Sequence, residues 1–127
     1  DDDAAARGVV HDLGAAYERV TRAYFPHSME RPEIRWGRQE TVRRFGSYEA
    51  ARDRVTISRS LDAQDVPAFV MDFVVYHELL HKLHGVEDQG LRRAAHTPAF
   101  RRDEARFARR DEAERLLSKI ARRGRRR

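Results

Sequence analysis

Apolar residues recur at helical spacing near the start of the chain, where Val9, Leu13, Ala16, Tyr17, Val20 and Tyr24 stand three or four apart. That period predicts one amphipathic helix from Ala4 to about Tyr24, with Asp1-Asp2-Asp3 as its acidic start and Pro26 as its stop. Gly8 and Gly14 weaken it, since a glycine costs about 1 kcal/mol relative to alanine inside a helix. His11 falls off the stripe and reads as a surface residue. After Pro32 the pattern shortens. Ile34-Arg35-Trp36-Gly37-Arg38 predicts a short strand, with Trp36 on its core face. Thr41 to Tyr48 predicts a second strand, interrupted by Gly46. Arg52 to Ser60 is the clearest strand, because Val55 and Ile57 alternate with Arg54, Thr56 and Ser58. The polar connection Glu49-Ala50-Ala51-Arg52-Asp53 is short enough to make the last two a hairpin.

The most apolar run comes next, Phe69-Val70-Met71-Asp72-Phe73-Val74-Val75-Tyr76. It predicts a central helix from Pro67 to His84, with Asp62 or Asp65 as cap and Pro67 in the first turn. Gly85 is a fitting C-terminal stop. Val70, Val74, His77, His81 and His84 share one face, beside a stripe of Phe69, Phe73, Tyr76, Leu80 and Leu83. Val86 to Ala95 reads as a polar loop. A last helix is predicted from Pro98 to about Ile120, burying Phe100, Phe107, Ala113, Leu116, Leu117 and Ile120. The expected architecture is α+β: one domain over residues 1–121, a small antiparallel three-stranded sheet packed with about three helices, and a basic disordered tail over 122–127.

Inside the central helix stands His77-Glu78-Leu79-Leu80-His81, a His-Glu-x-x-His motif. Residues four apart lie one turn above the other, so His77 and His81 can present two imidazoles to one metal ion. Glu78 lies about 100° round the helix, where it can take a proton from a water on the metal without being a ligand. Nitrogen donors suit zinc, and a catalytic zinc takes three protein ligands plus water. His84 shares the face but sits roughly 10 Å beyond His77 along the axis, too far for a straight helix to bring it to the same ion. It reads instead as a residue of the cleft rim. Glu87 has a spacing used after a glycine turn, but His84 occupies the place of that glycine. Glu104 fits the spacing poorly. His96 fits best, because it opens a helix after a loop and can fold back.

Composition narrows the remaining possibilities. With 127 residues and 40% hydrophobic content, the chain suits one domain with a modest core. The absence of cysteine excludes disulfides, a Cys nucleophile and a Cys zinc ribbon. No apolar run approaches the ~20 residues that span a bilayer, and no charged-then-apolar leader pattern is visible. The expectation is a soluble, cytoplasmic monomer with no membrane partner. The net charge of +5 is unevenly spread. From Pro98 onward there are 12 Lys+Arg against 5 Asp+Glu. That excess predicts contact with nucleic acid, with Arg101, Arg102, Arg109 and Arg110 on the exposed side of the last helix as candidate phosphate ligands.

Tyr76-His77-Glu78-Leu79-Leu80-His81 followed by His96-Thr97-Pro98-Ala99-Phe100 resembles the SprT-like (Spartan-type) metalloprotease domain. The related WLM and YgjP-like metallopeptidases are similar too. Phe45-Gly46-Ser47-Tyr48, then Val55-Thr56-Ile57-Ser58 and Leu61, matches the family's Gly-Ser step and strand ahead of the helix. The resemblance covers roughly residues 30 to 107. It implies a minimal zincin fold with the metal helix beside the sheet, zinc-dependent proteolysis, and DNA-associated protein as a substrate class. The chain departs from the pattern in lacking a zinc ribbon and in having Thr97 where glycine is usual. The expected activity is hydrolysis of a protein or peptide bond, with zinc on His77, His81 and His96, Glu78 as general base, and Tyr48 or His84 as candidate oxyanion donor. Two alternatives remain: a nucleic-acid-binding module on an inactive scaffold, and a zinc hydrolase of non-peptide substrates.

Overall fold

The computed structural model describes residues 2–27, 29–85 and 96–125. The predicted loop Val86 to Ala95, and Glu87 within it, lies outside the described residues.

The N-terminal helix divides in two. α1 spans Asp2–Ala6 and α2 spans Leu13–Tyr24, with Asp12 capping α2 through Gly14 N and Ala15 N. Asp62 explains the break. Its carboxylate accepts from the backbone amides of Val9, Val10 and His11 at 2.7, 2.9 and 2.9 Å, which bends residues 8–11 away from helical bonding. A side chain at Gly8 would collide with that carboxylate at 2.5 Å. Val9, predicted to be on the buried stripe, is therefore 91% exposed. Asp62 also does not cap the central helix, whose N-cap is Pro67 without a side-chain hydrogen bond.

The sheet holds β1 (Glu33–Trp36), β2 (Gly46–Glu49) and β3 (Arg54–Ile57), in the order β1-β3-β2. β2 and β3 form the predicted hairpin. β1, however, runs parallel to β3, so the sheet is mixed and not all antiparallel. Residues 37–45 carry the chain past the place of the central strand to the far edge, and β3 then returns into the gap. The hairpin turn uses Asp53 at φ 48°, a left-handed conformation that aspartate tolerates better than most residues. Tyr48 Oη and Lys82 Nζ both donate to its carboxylate, at 2.8 and 2.7 Å. Short 3₁₀ turns at Ala50–Arg52 and Arg59–Leu61 trim the predicted strand at both ends.

One face of the sheet buries Ile34, Trp36, Tyr48, Val55 and Ile57, as the alternation requires. Trp36 donates to Ala6 O at 3.0 Å, tying β1 to α1. Against this face lies α3 (Ala68–His84), buried almost all round through Val70, Met71, Phe73, Val74, Val75, Tyr76, Leu79 and Leu80. Leu83 departs from the expected stripe and is exposed. Gly85 ends the helix at φ 72°, its N–H closing on the carbonyls of His81 and Lys82.

The predicted last helix is two helices, α4 (Pro98–Glu104) and α5 (Arg110–Arg125). The cause is Phe107, which is buried among Tyr24, Phe73 and Tyr76 with ring centroids 5.3, 5.3 and 5.5 Å away. Three-residue turns at Asp103–Arg106, Glu104–Phe107 and Phe107–Arg110 swing the chain into that cluster. α5 then runs to Arg125, past the predicted start of the tail at 122. At Gly124 an added Cβ would lie 2.7 Å from Val42, so the end of α5 packs closely on the 37–45 segment. Five α-helices stand where about three were expected.

Candidate metal centre

His77 and His81 lie one turn apart on α3, and His96 comes to them from just before α4. The Nε2 atoms of His77 and His81 are 3.2 Å apart, and those of His81 and His96 are 3.3 Å apart. All three ligand atoms fall within 4.8 Å of one another, close enough to bind one metal ion. His81 is fully buried, while His77 and His96 are partly exposed.

Phe100 forms the seat of this cluster. Its ring is buried, with centroids 4.5, 5.1 and 5.2 Å from His81, His96 and His77. Local sequence explains how it arrives there. Thr97 Oγ1 accepts from Phe100 N at 3.2 Å, Pro98 starts the helix, and Arg101 Nε donates to His96 O at 3.2 Å. Thr97 has φ −67°, an ordinary backbone value, so nothing at this position requires glycine.

Glu104, set aside above as a ligand, contacts the cluster differently. Its Oε2 is 2.5 Å from His77 Nδ1. The ring nitrogen donates to the carboxylate, which orients the ring with Nε2 facing the cluster. Burial opposes ionisation of Glu104, but the hydrogen bond from His77 and the charges of His77, His96 and Arg110 outweigh it and hold its carboxyl below the usual range. The signal was present in the sequence. Phe100 and Glu104 are four apart, so the face of α4 that seats the imidazoles also carries the carboxylate. The same helix is pinned by Tyr76 Oη donating to Asp103 O, and by His84 Nε2 against Asp103 Oδ2 at 2.8 Å. Burial pushes the Tyr76 hydroxyl up to about 12, so it keeps its proton for that bond. His84 thus holds α4 and does not join the cluster.

Glu78 is 2% exposed, and its carboxylate points toward the start of β2. A Cβ built on Gly46 would lie 2.8 Å from Glu78 Oε2 and 3.0 Å from Val74 Cγ1. Glu78 and His77 line one cleft of about 530 Å³, together with Phe45, Phe73 and Leu117 as apolar walls. Arg44, Glu104 and Glu114 supply its other charges, and of these Arg44 and Glu114 were not foreseen. Burial, then the nearby charge of Glu104, raises Glu114 above an ordinary glutamate. Tyr48 and His84 do not line the cleft, and both bond to carboxylates elsewhere, so neither serves as the expected oxyanion donor.

The four candidate phosphate ligands are mostly engaged within the chain. Arg101 bonds to His96 O, Arg109 lies 3.5 Å over the Phe69 ring and pairs with Glu112, and Arg110 pairs with Asp111 and Glu114. Arg101 and Arg102 make no ion pair among the described residues, and Arg102 makes no side-chain hydrogen bond there either. No helix among them is long and apolar enough to cross a membrane.

These features define an α+β protein with a three-histidine site able to hold a metal ion beside a cleft. No protein-family model matches the chain, and no curated protein or solved structure is significantly similar to it.

Proposed function

We propose that the chain is a zinc-dependent metallopeptidase of the SprT-like kind, with His77, His81 and His96 as metal ligands and Glu78 as general base. The observation that carries this reading is Glu78: its buried carboxylate lines the same cleft as His77, one residue along the helix from it. The donor set fits zinc. Tetrahedral coordination at a Zn–N distance of about 2.0–2.1 Å separates the nitrogens by about 3.3 Å. The His77–His81 and His81–His96 separations of 3.2 and 3.3 Å match that spacing, and all three nitrogens lie within 4.8 Å of one another. Three neutral nitrogens also suit zinc better than the oxygen-seeking magnesium or calcium. When bound, zinc would supply Lewis acidity toward a carbonyl and lower the pKa of a water to about 7.

The chain's own groups do the rest. Glu78 takes the proton from the attacking water and delivers it to the leaving amine. Val74 and the backbone of Gly46 wall its carboxylate from bulk water. Glu104 orients the His77 ring. Arg44 lines the same cleft wall, so its positive charge lies near the place where charge would develop on a substrate oxygen. Among the described residues β2 pairs only with β3, so its other edge suits an extended peptide. Glu78→Gln tests the reading. It should keep stoichiometric zinc by elemental analysis and lose about 10²–10⁴-fold in peptide turnover. Parental turnover in the zinc-loaded variant would reject Glu78 as base.

A second reading, contact with nucleic acid, keeps one supporting observation. Arg115, Lys119 and Arg122 stand on one side of α5 and, with Arg102, make no ion pair among the described residues. Single-stranded DNA binding that weakens with salt, at a log–log slope of about −0.7 per phosphate, and that falls on Arg115→Ala/Lys119→Ala would support it. Unchanged binding in that double variant would move the contact elsewhere.

A further inference from the structure

A second depression, of about 320 Å³, lies next to the metal cleft and shares Arg44 and Gly46 with it. It opens on the other face of the sheet. Gly46 faces α3, so the next residue, Ser47, points away, as does its cross-strand partner Thr56. Arg38 and Arg44 line the pocket with the hydroxyls of Thr41, Ser47, Thr56 and Ser58, and among the described residues the lining holds no carboxylate and no aromatic ring. Arg35 and Arg54, on the same sheet face, pair with Glu33 at 3.6 and 3.0 Å. Arg38 makes no ion pair among the described residues. The wall is rigidly built. Ser58 Oγ and Ser60 Oγ lie 2.6 and 2.9 Å from Thr41 O, and Ser58 N donates to Phe45 O at 2.8 Å. The Arg38 guanidinium beside the hydroxyls of Ser47 and Thr56, with no acid in the lining, is the chemistry that receives a carboxylate or phosphate.

We infer that this pocket binds an oxyanion carried by the peptide substrate itself, a carboxylate or phosphate ester on a side chain next to the one held in the metal cleft. The inference rests on the peptidase reading above. A peptide paired along the free edge of β2 sends successive side chains to opposite faces of the sheet. One face leads to the metal cleft and the other to this pocket. The lining offers no ring on which a nucleotide base could stack, which favours a side chain over nucleic acid.

The test uses zinc-loaded Glu78→Gln, which leaves peptide intact. Fluorescein-labelled peptides of Ala and Leu carry Ser, Asp or phosphoserine at one position, moved along the sequence. Fluorescence anisotropy at low salt should show Asp and phosphoserine binding at least ~10-fold tighter than Ser at one register, with phosphoserine the tightest. Adding Arg38→Glu should erase the difference, and Arg38→Lys should keep part of it. Equal affinity for the three peptides, or unchanged discrimination after Arg38→Glu, overturns the pocket. A single-stranded oligonucleotide that displaces the phosphopeptide and binds more tightly overturns the assignment to a substrate side chain. The parent chain separates the two readings. A phosphopeptide that binds with preference but is never cut leaves the pocket standing and removes the peptidase. Cleavage without preference does the reverse.

Discussion

If Glu78 is the base, as proposed, Gly46→Ala should disable it without unfolding the protein. Gly46 does not have positive φ, so its backbone accepts alanine. The added methyl carbon would lie 2.8 Å from Glu78 Oε2, 3.1 Å from Glu78 Cγ and 3.0 Å from Val74 Cγ1. Carbon–oxygen contacts relax to about 3.4 Å or more, so the carboxylate must retreat by more than half an ångström. It is the far end of a flexible side chain, so folding loses little. Loss of glycine freedom in the unfolded chain returns about 0.4–1 kcal/mol, which the tight Val74 contact offsets. Catalysis is far less tolerant. A displacement near 1 Å can cost about 10²-fold, and the base itself is worth about 10²–10⁴-fold. Turnover should fall by roughly 10–100-fold. Zinc affinity should hold, because the methyl touches none of the three histidines. The assay pairs peptide turnover at saturating zinc with zinc affinity by chelator competition and a thermal melt. In the double variant Gly46→Ala/Glu78→Asp the shorter carboxylate escapes the methyl, so the two losses should add to less than their sum. Parental turnover in Gly46→Ala, or a loss explained by weaker zinc binding, refutes the argument.

Glu104→Ala should weaken zinc about 10–100-fold by releasing the His77 ring, measured by the same chelator competition; unchanged affinity would make the 2.5 Å contact incidental. His96→Ala should lose far more affinity than His84→Ala, which removes a bond to Asp103 and a ring contact with Phe100 but no cluster nitrogen, and equal losses would mean that His96 is not the third ligand. Asp62→Ala should cost roughly 1–2 kcal/mol by denaturant melt, a range reduced for solvent access to its three backbone bonds. Burial opposes ionisation of Asp62, yet the amides of His11, Val10 and Val9 prevail and lower its pKa. Its contribution is therefore fully present above the ordinary aspartate value and lost as pH falls through the lowered one, so parent and variant should converge in acid. A gap that persists there would place the stabilisation outside the carboxylate.

The cluster of three histidines was legible because each member depends on short-range rules. The His77–His81 spacing fixes a shared face, and Thr97-Pro98 fixes a helix start that carries His96 and Phe100 to it. The hairpin and the Gly85 stop were readable for the same reason. Misreadings arose where distant partners decide. The 8–11 bend follows from Asp62, some fifty residues away. The parallel pairing of β1 with β3 depends on where residues 37–45 travel, which no local period records. Phe100 and Phe107 are seven apart and suit one straight helix, but their burial sites lie in different directions. Arg109 and Arg110 are a different case: Glu112 and Glu114 stand at i+3 and i+4 from them and were readable as partners, while the Phe69 ring under Arg109 comes from forty residues away.

The open edge of β2 also limits what can be engaged there. The strand is four residues long, begins at a glycine and ends where Glu49 pairs with Arg52 in a 3₁₀ turn. At about 3.4 Å per residue it offers roughly 14 Å of backbone. A second copy of the chain finds too little edge to template a growing sheet, so the exposed strand carries little aggregation hazard. The same brevity rules out a docked β-sheet or helix as a guest. On the peptidase proposal, a folded protein would have to offer a stretch already unravelled, such as a tail, a nick or a denatured loop, so local unfolding of the target would gate its cleavage.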